Sequence, residues 1–394
     1  MLGTGLLGTI VGVRAELEGF PTAVSGLVMS CHYIGFLGGC AVAPGLLRRH
    51  GHVRVFLAVS VLSALGAIAY PLYTSPAAWA AFRVITGAAT AGIYVVCESW
   101  LAGAGHRQTR GRLLAVYLLV GNSGYGFGQL LLGLGSPETF LLFGLAAGLV
   151  GLSALPLIAL KPEGPPRTNL ARLRIVELAK TAPLGVATSF VTGIGVGGIL
   201  GFGPVYGTEV GMSVERVGLL MGAAMAGSIF LQWPIGALSD RINRRHVIIG
   251  AGLAAGAFAI AASYLPPLSN VILACMFAYT AFSFPLYSLA ISHVNDSLHP
   301  EKVIPASAAL LGVYGVGTLV GPIGTSLVME GLGPPGFWLL AGLAHVGLGL
   351  YGLYRLVKSR RLLEAHHLPH IPINASPQAA LLIEDTAEMP TVQR

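Results

Sequence analysis

The feature that most constrains this chain is a series of twelve apolar runs, most of them as long as a helix that crosses a lipid bilayer. A spanning helix needs about 20 mostly apolar residues, and lipid offers the backbone no hydrogen-bond partner outside its own segment. The pattern predicts an all-α integral membrane protein with about twelve transmembrane helices. The first run is too short to span, so we expect the first span to be incomplete in this sequence. The runs cover residues 1–13, 21–43, 53–73, 77–102, 113–134, 138–160, 183–207, 214–238, 246–265, 270–293, 304–329 and 335–357.

The shortage of charge supports the same class. Only 10% of the 394 residues are charged, and the mean hydropathy is +0.75. Soluble chains carry about 25% charged residues, and a single soluble core stops growing near ~250–300 residues. A large soluble core therefore does not explain the composition, whereas contact with lipid does. The four cysteines lie inside apolar runs without CxxC spacing, so we expect neither disulfides nor structural zinc.

The basic residues lie in loops on one side of the predicted membrane. Cytoplasmic loops of membrane proteins carry the excess of Lys and Arg. Placing the N-terminus in the cytoplasm puts 20 of the 23 Lys and Arg residues in cytoplasmic segments, all except Arg14, Arg83 and Arg216. We therefore predict that both termini are cytoplasmic and that the chain lies in the plasma (bacterial inner) membrane. The net charge of +7 comes from short clusters rather than a basic stripe, so we expect no nucleic-acid partner.

The chain repeats itself with an offset of about 192 residues. Gly26-Leu-Val-Met29 then matches Gly218-Leu-Leu-Met221, and at an offset of 193 Tyr94 matches Tyr287. The offset covers six spans, an even number, so the two repeats have parallel topology, as in a recurring transporter architecture. We predict an N-terminal six-helix bundle over 1–160, a cytoplasmic linker over 161–182, a C-terminal six-helix bundle over 183–358 and a flexible cytoplasmic tail over 359–394.

Two loops in corresponding positions of the repeats carry a related motif. The loop after the eighth run is Gly236-Ala-Leu-Ser-Asp240-Arg241-Ile-Asn243-Arg244-Arg245, and the loop after the second is Pro44-Gly-Leu-Leu-Arg48-Arg49-His-Gly51. The loop after the eighth run resembles the G-x-x-x-D-R-x-G-R-R signature of the major facilitator superfamily, with Asn243 in place of Gly. Asn tolerates left-handed backbone, so we expect the same turn there. The other copy departs further, because Arg48 replaces the Asp.

Other segments extend this resemblance over the whole chain except the tail. Arg83-Val-Ile-Thr-Gly87 is similar to the family's signature in the fourth span. The segments Cys97-Glu98-Ser99-Trp100-Leu101, Thr109-Arg110-Gly111-Arg112 and Gly128-Gln129 resemble the YcaD-type branch. The resemblance implies two six-helix bundles that rock around a central cavity. It does not specify the substrate.

Several residues within or near the spans are candidates for substrate or ion coupling. Ionisable groups inside spans are costly and usually functional. Arg83 either binds an anionic group or modulates a proton site in the cavity, or it extends to the interface. Tyr94 and Tyr287 are cavity candidates or ordinary packing residues. Glu209 is a coupling candidate or a charge at the outer face, and His293 is a titrating group or a helix-end histidine. The glycine-rich seventh run, with Pro204, predicts a helix that bends or breaks.

A second group is predicted to form gates at the cytoplasmic side. Glu98 lies fifteen residues after Arg83, roughly 22 Å along a helix, so the two cannot pair. Glu98 is instead a partner for Arg49 in a latch, or a proton-coupling carboxylate. Asp240 is expected to accept hydrogen bonds near a helix N-terminus across the bundle interface. Arg241, Arg244 and Arg245 are gate candidates that the positive-inside rule also explains.

A metal site is a weaker alternative. Met221 and Met225 share a helix face, and Cys31 and His32 lie on the second span, a ligand set that would suit copper. Methionine is also ordinary filler in apolar helices, so we expect no metal.

The sequence shows no motif of an ATP-binding site or of a catalytic site. We find no GxxxxGK[ST], HExxH or GxSxG pattern, so we expect no enzyme activity and no cofactor. The main hypothesis is a monomeric secondary transporter for a small-molecule substrate, driven by protons or another coupling ion. The alternatives are a copper or other metal transporter, and a membrane sensor that keeps the fold without transporting.

Overall fold

The computed structural model describes residues 1–104, 107–160, 175–298 and 303–358. Within these ranges the chain is almost entirely helical and forms no strand. The helices are α1 Leu2–Leu17, α2 Thr22–His50, α3 His52–Ala69, α4 Pro76–Ala104, α5 Arg107–Leu130, α6 Phe140–Leu152, α7 Leu155–Leu160, α8 Ile175–Thr181, α9 Pro183–Gly197, α10 Gly203–Glu209, α11 Val214–Phe230, α12 Gln232–Arg241, α13 Arg244–Ser263, α14 Asn270–Ser283, α15 Pro285–Asn295, α16 Val303–Leu332 and α17 Pro335–Lys358.

Ten segments in the described ranges are long and apolar enough to cross a membrane. Four of them contain a break, so that each includes parts of two of the helices above: α6 with α7, α9 with α10, α11 with α12, and α14 with α15. The break between α9 and α10 is a π-helical turn over Gly198–Phe202. Pro204 follows it in the first turn of α10, where its missing N–H is tolerated. The predicted interruption of the glycine-rich seventh run is therefore confirmed.

The predicted linker contains a helix that the sequence pattern did not predict. Residues Ile175–Thr181 form α8, and Leu178 on it is fully buried. Leu178 packs into an apolar cluster with Tyr287, Ile291 and Leu310. The last part of the linker is thus fixed to the helices that follow it. The predicted tail, 359–394, lies outside the described residues.

In the described part of the chain the helices form two halves that share one buried apolar core, at one end of the bundle. The first half consists of α1–α7 and the second of α9–α17. We call the end that carries Glu16, Glu18 and Glu209 the acidic end, and the end that carries Arg49 and Arg241 the basic end. At the acidic end a single cluster of buried side chains includes residues of both halves. Towards the basic end the buried clusters separate into one for the first half and two for the second, although the half-buried Tyr117 of α5 packs against one of the latter two.

Contacts between the halves follow the same division. A Cβ on Gly12 of α1 would lie 2.8 Å from the Cβ of Pro204 on α10, so these helices approach closely near the acidic end. Ser30 of α2 donates a hydrogen bond to the Leu319 carbonyl of α16, at 2.8 Å. Over its whole length α4 packs mainly on α2, α3 and α5 of its own half, and α15 packs mainly on α9, α12, α13, α14 and α16 of the other half. Among the residues that the structure describes, the halves are therefore closed at the acidic end and parted at the basic end.

Candidate functional site

A cavity of about 190 Å³ lies between the two halves, at mid-depth of the bundle. Both halves line it, through α1–α5 of the first half and through α9, α11, the α14–α15 segment and α16 of the second. The shared apolar cluster closes it towards the acidic end. A site at the interface of two repeats, near mid-membrane, is the arrangement in which transporters bind their substrates.

Helix α4 contributes a polar stripe to the wall of the cavity. Arg83, Thr86, Thr90 and Tyr94 all line it, and their spacing of three or four residues places them on one helix face. The hydroxyls of Thr86 and Thr90 donate to carbonyls of their own helix, which satisfies the donors and leaves oxygen lone pairs available. Glu98 continues the spacing towards the basic end, beyond the cavity wall.

Arg83 provides the positive charge of the cavity. It is the only Asp, Glu, Lys or Arg among the described residues that line the wall. The side chain is only 4% exposed. Its Nη2 donates to the Met29 sulfur, its Nε has no hydrogen-bond partner, and no carboxylate in the described ranges forms an ion pair with it. A thioether is a weak acceptor, so this guanidinium is buried without an anion.

Aromatic side chains form much of the remaining wall. The rings of Tyr287 and Tyr314 lie 4.5 Å apart in the second half, and those of Phe36 and Tyr94 lie 6.1 Å apart in the first. The described lining includes six tyrosines and two phenylalanines: Tyr33, Tyr94, Tyr117, Tyr125, Tyr287, Tyr314, Phe36 and Phe284. The cavity thus combines one fixed cation with flat apolar surfaces that carry hydroxyl groups.

An ion-pair cluster lies at the basic end of the second half. Arg244 is 1% exposed, and its Nε lies 2.7 Å from Asp296 Oδ2 and its Nη2 lies 3.4 Å from Asp240 Oδ1. Asp240 therefore pairs with the first residue of the next helix, α13, within its own half, and its expected contact across the bundle interface stays a prediction. Asp296 was missed by the sequence analysis because it follows the end of a span and belongs to no motif.

The corresponding region of the first half has a different chemistry. Arg48 and Arg49 are exposed. His52, which matches Arg244 at the repeat offset, is hydrogen-bonded through Nε2 to the Ser99 hydroxyl at 2.9 Å. Its ring also lies against Trp100, with centroids 5.5 Å apart. The loop after the second run thus has a hydrogen-bonded histidine at the position where the loop after the eighth run has a buried, ion-paired arginine.

Comparisons with known proteins identify the family. The family model described as "Major Facilitator Superfamily" matches residues 1–214 and again residues 185–375. The chain belongs to the major facilitator superfamily. The same family model matches the chain twice, with an overlap over residues 185–214, and the predicted division into two six-helix bundles stays a prediction. The chain is therefore an all-α integral membrane transporter of the bacterial inner membrane.

Relatives within the superfamily support the predicted branch. An uncharacterized MFS-type transporter of Enterobacter sp. (strain 638) is 30% identical over 332 residues, which cover 84% of this chain and 86% of the relative. The uncharacterized MFS-type transporter YcaD of Escherichia coli O9:H4 (strain HS) is also 30% identical over 332 residues, with the same coverage of both chains. The predicted resemblance to the YcaD-type branch is confirmed.

Solved structures of the superfamily share the fold. The nucleoside transporter NupG superposes with a TM-score of 0.74 at 16% identity, covering 90% of this chain and 97% of that one. A bacterial homolog of the human lysosomal transporter Spinster, in an inward-facing and unoccupied conformation, gives a TM-score of 0.65 at 17% identity, covering 98% of this chain and 95% of that one. At these identities the likeness shows the superfamily fold alone.

The structure brings some of the predicted residues into the cavity of this superfamily member and leaves others outside. Arg83, Tyr94 and Tyr287 line the cavity, the two tyrosines from opposite halves. Glu209 is half-buried at the acidic end, where it interacts electrostatically with Glu16 of the first half. His293 is buried on α15 against α9. Neither Glu209 nor His293 lines the cavity.

Two further expectations concern Asn243 and the metal ligands. Asn243 has φ −57°, so the left-handed turn expected there is wrong; its side chain instead accepts from the backbone N–H of Arg245 and caps α13. Gly51, its mate in the first repeat, does have a left-handed φ of 78°.

The candidate copper ligands are not all brought to one place. His32 and Met225 line the cavity, whereas Cys31 and Met221 do not. In the part of the chain that the structure describes, no group of three His, Cys, Asp or Glu residues is placed to hold a metal ion.

Proposed function

We propose that this chain is a secondary active transporter that moves a small organic solute by alternating access, driven by an ion gradient. The observation that carries the proposal is the cavity itself. It lies between two repeated halves, receives side chains from both, and is closed at one end of the bundle by a shared core. Rocking of the halves about this cavity would expose it to the two sides of the membrane in turn.

Within this proposal the cavity residues bind the solute and the loop residues control access. Arg83, Tyr94 and Tyr287 contact the substrate. The excess of Lys and Arg on one side supports cytoplasmic termini, and with that orientation the parted basic end faces inward. The gates are formed by Arg49 and Glu98 in the first half and by the ion-pair loop of the second. That loop comprises Asp240, Arg241, Arg244 and Arg245. Glu209 and His293 lie outside the cavity and are weaker candidates for ion coupling.

Counterflow in proteoliposomes tests the proposal. Solutes that raise the melting temperature of the purified protein are first selected, because a ligand of the folded state stabilises it. Vesicles loaded with an unlabelled selected solute should then accumulate the same labelled solute transiently. Arg83→Ala should abolish this exchange, and Arg83→Lys should recover little of it, since an ammonium lacks the planar fork of a guanidinium.

A matched control is available in the same half. Arg14 pairs with Glu18 outside the cavity, so Arg14→Ala should exchange at the wild-type rate. A solute that stabilises the protein and yet never exchanges would contradict transport and favour a membrane sensor.

A further inference from the structure

The unpaired guanidinium in the cavity indicates which class of solute completes the site. Arg83 brings a guanidinium cation into the wall of the cavity. Burying a charge is costly unless an opposite charge and hydrogen bonds compensate for it. Its neighbours in the described structure supply a thioether and no carboxylate, and its Nε has no partner. The missing partner is therefore an anion that arrives from outside the chain.

The electrostatics of the wall exclude the other charge types. No Asp or Glu lies among the described lining residues, so a cationic solute would meet Arg83 with nothing to neutralise either charge. A neutral solute would leave the guanidinium without an ion pair. An anionic solute is the one class whose entry lowers the cost of the buried charge instead of adding to it.

The size and surface of the cavity define the rest of the solute. The volume of about 190 Å³ exceeds the roughly 150 Å³ of an engineered protein cavity that holds benzene. Flat aromatic side chains from both halves form the wall, and tyrosine hydroxyls such as that of Tyr117, buried without a partner among the described residues, can donate to oxygen atoms. The space therefore fits one ring and a small charged group.

We propose that the substrate is a ring-sized organic monoanion, whose carboxylate or similar head group pairs with Arg83 while its ring lies among the tyrosines. This inference rests on the proposed transport function, because it names what the central cavity carries. A guanidinium binds a carboxylate through two parallel hydrogen bonds, which favours a planar anionic head group over a single point charge.

A matched series of three compounds tests the substrate class. Benzoate, benzamide and benzylamine have the same ring and differ in charge, so their affinities for the detergent-purified protein compare an anion, a neutral molecule and a cation. We expect benzoate to bind at least tenfold more tightly than benzamide, as charge-assisted hydrogen bonds predict. In Arg83→Gln this preference should disappear, because the affinity for benzoate falls by at least tenfold more than the affinity for benzamide.

Controls separate this inference from simpler explanations. Arg14→Gln removes an arginine of the same half that lies outside the cavity, and it should keep the wild-type preference. Should Arg83→Gln fail to fold, Arg83→Lys replaces it, and most of the preference should be lost because an ammonium lacks the planar fork of a guanidinium. Equal binding of benzamide or benzylamine, binding of none of the three compounds, or an unchanged preference in Arg83→Gln would each overturn the inference.

The counterflow assay distinguishes failure of the substrate class from failure of transport. Exchange of neutral or cationic solutes without exchange of anions would refute the substrate class and leave the transporter intact. Arg83-dependent binding of benzoate without any exchange would refute transport and retain the anion site.

Discussion

Two buried arginines in this chain have opposite surroundings. Arg83 is 4% exposed and has no carboxylate partner in the described structure, whereas Arg244 is 1% exposed and contacts both Asp240 and Asp296. A buried ion pair that loses one member leaves an uncompensated charge, while removal of a charge that had no counter-ion removes a desolvation cost. The same substitution should therefore change stability in opposite directions at the two positions.

Stability measurements on the two variants test this difference. Without added solute, Arg83→Gln should raise the free energy of unfolding by about 1 kcal/mol or more, because it removes a buried group that lacks partners. Arg244→Gln should lower it by about 3–5 kcal/mol, because it takes a charge away from the buried Asp296. Scanning fluorimetry in one detergent would compare the apparent melting temperatures. A lower melting temperature for Arg83→Gln would mean that Arg83 is structural.

The sequence predicted the ionic residue of the site better than its aromatic wall. Arg83 was recognisable because a charge inside an apolar run is rare and costly. Tyr94 and Tyr287 were recognisable as repeat mates. Tyr33, Tyr117, Tyr125 and Tyr314 were missed, because a helix surrounded by lipid and other helices is apolar on every face, and its sequence does not show which face meets a cavity. A signal did exist in α4, where Thr86 and Thr90 continue the spacing from Arg83 to Tyr94.

At the scale of helices, the contact between α2 and α16 holds the halves together. A Cβ on Gly26 of α2 would lie 2.1 Å from the Ser326 hydroxyl and 2.9 Å from the Pro322 carbonyl of α16. Two helices approach this closely only where a side chain is absent. Gly38, on the same helix, faces open space and has no heavy atom within 4 Å of a Cβ. These two glycines form a matched pair for testing how the halves separate.

Gly26→Ala should favour opening at the acidic end. The new methyl group would force α2 and α16 apart where the observed arrangement closes them, at a cost of about 1–3 kcal/mol, which shifts a two-state balance roughly tenfold. Labelling of Thr86→Cys, in a background without native cysteines, by a membrane-impermeant thiol reagent added on the acidic side should rise accordingly. Gly38→Ala should leave labelling unchanged. Equal labelling in both variants would show that this contact does not control opening.

A break within a span could be predicted from the sequence only where the residues of the same segment cause it. Glycine density and Pro204 predicted the interruption between α9 and α10, because both act on the backbone of their own segment. The turn at Asn243 was predicted wrongly, because its conformation follows from capping α13 rather than from the motif. Helix α8 was not predicted, since it is stabilised by packing of Leu178 against the second half.

For the whole molecule, the distribution of basic residues predicts the orientation in the membrane. The placement of 20 of the 23 Lys and Arg residues on one side predicts that both termini are cytoplasmic. A C-terminal fusion to a reporter that is active only in the cytoplasm should therefore be active, and a fusion to a reporter that is active only outside should be silent. The reverse result would invert the bundle and place the parted basic end outside.

The gate at the basic end of the first half gives the last prediction. In the observed arrangement Arg49 is exposed at the end of α2 and Glu98 is fully buried on α4, and no ion pair joins them in the described part of the chain. Both residues belong to the first half, so rigid rocking of the halves leaves their separation unchanged. Pro44, within α2 and just before Arg49, removes a helix hydrogen bond and provides a point at which the helix end can bend.

We expect Arg49 and Glu98 to pair when the cavity opens to the acidic end and to separate in the arrangement seen here. A charged hydrogen bond contributes about 1.5–3 kcal/mol, enough to shift the balance more than tenfold. Glu98→Gln and Arg49→Ala should each favour the closed acidic end, lowering Thr86→Cys labelling from that side. The double variant should lower this labelling no further than either single variant does, because the pair acts as a unit. Arg48→Ala, at the neighbouring exposed arginine, is the control. Additive effects, or a Glu98→Gln variant that loses only the pH dependence of transport, would instead make Glu98 a proton carrier.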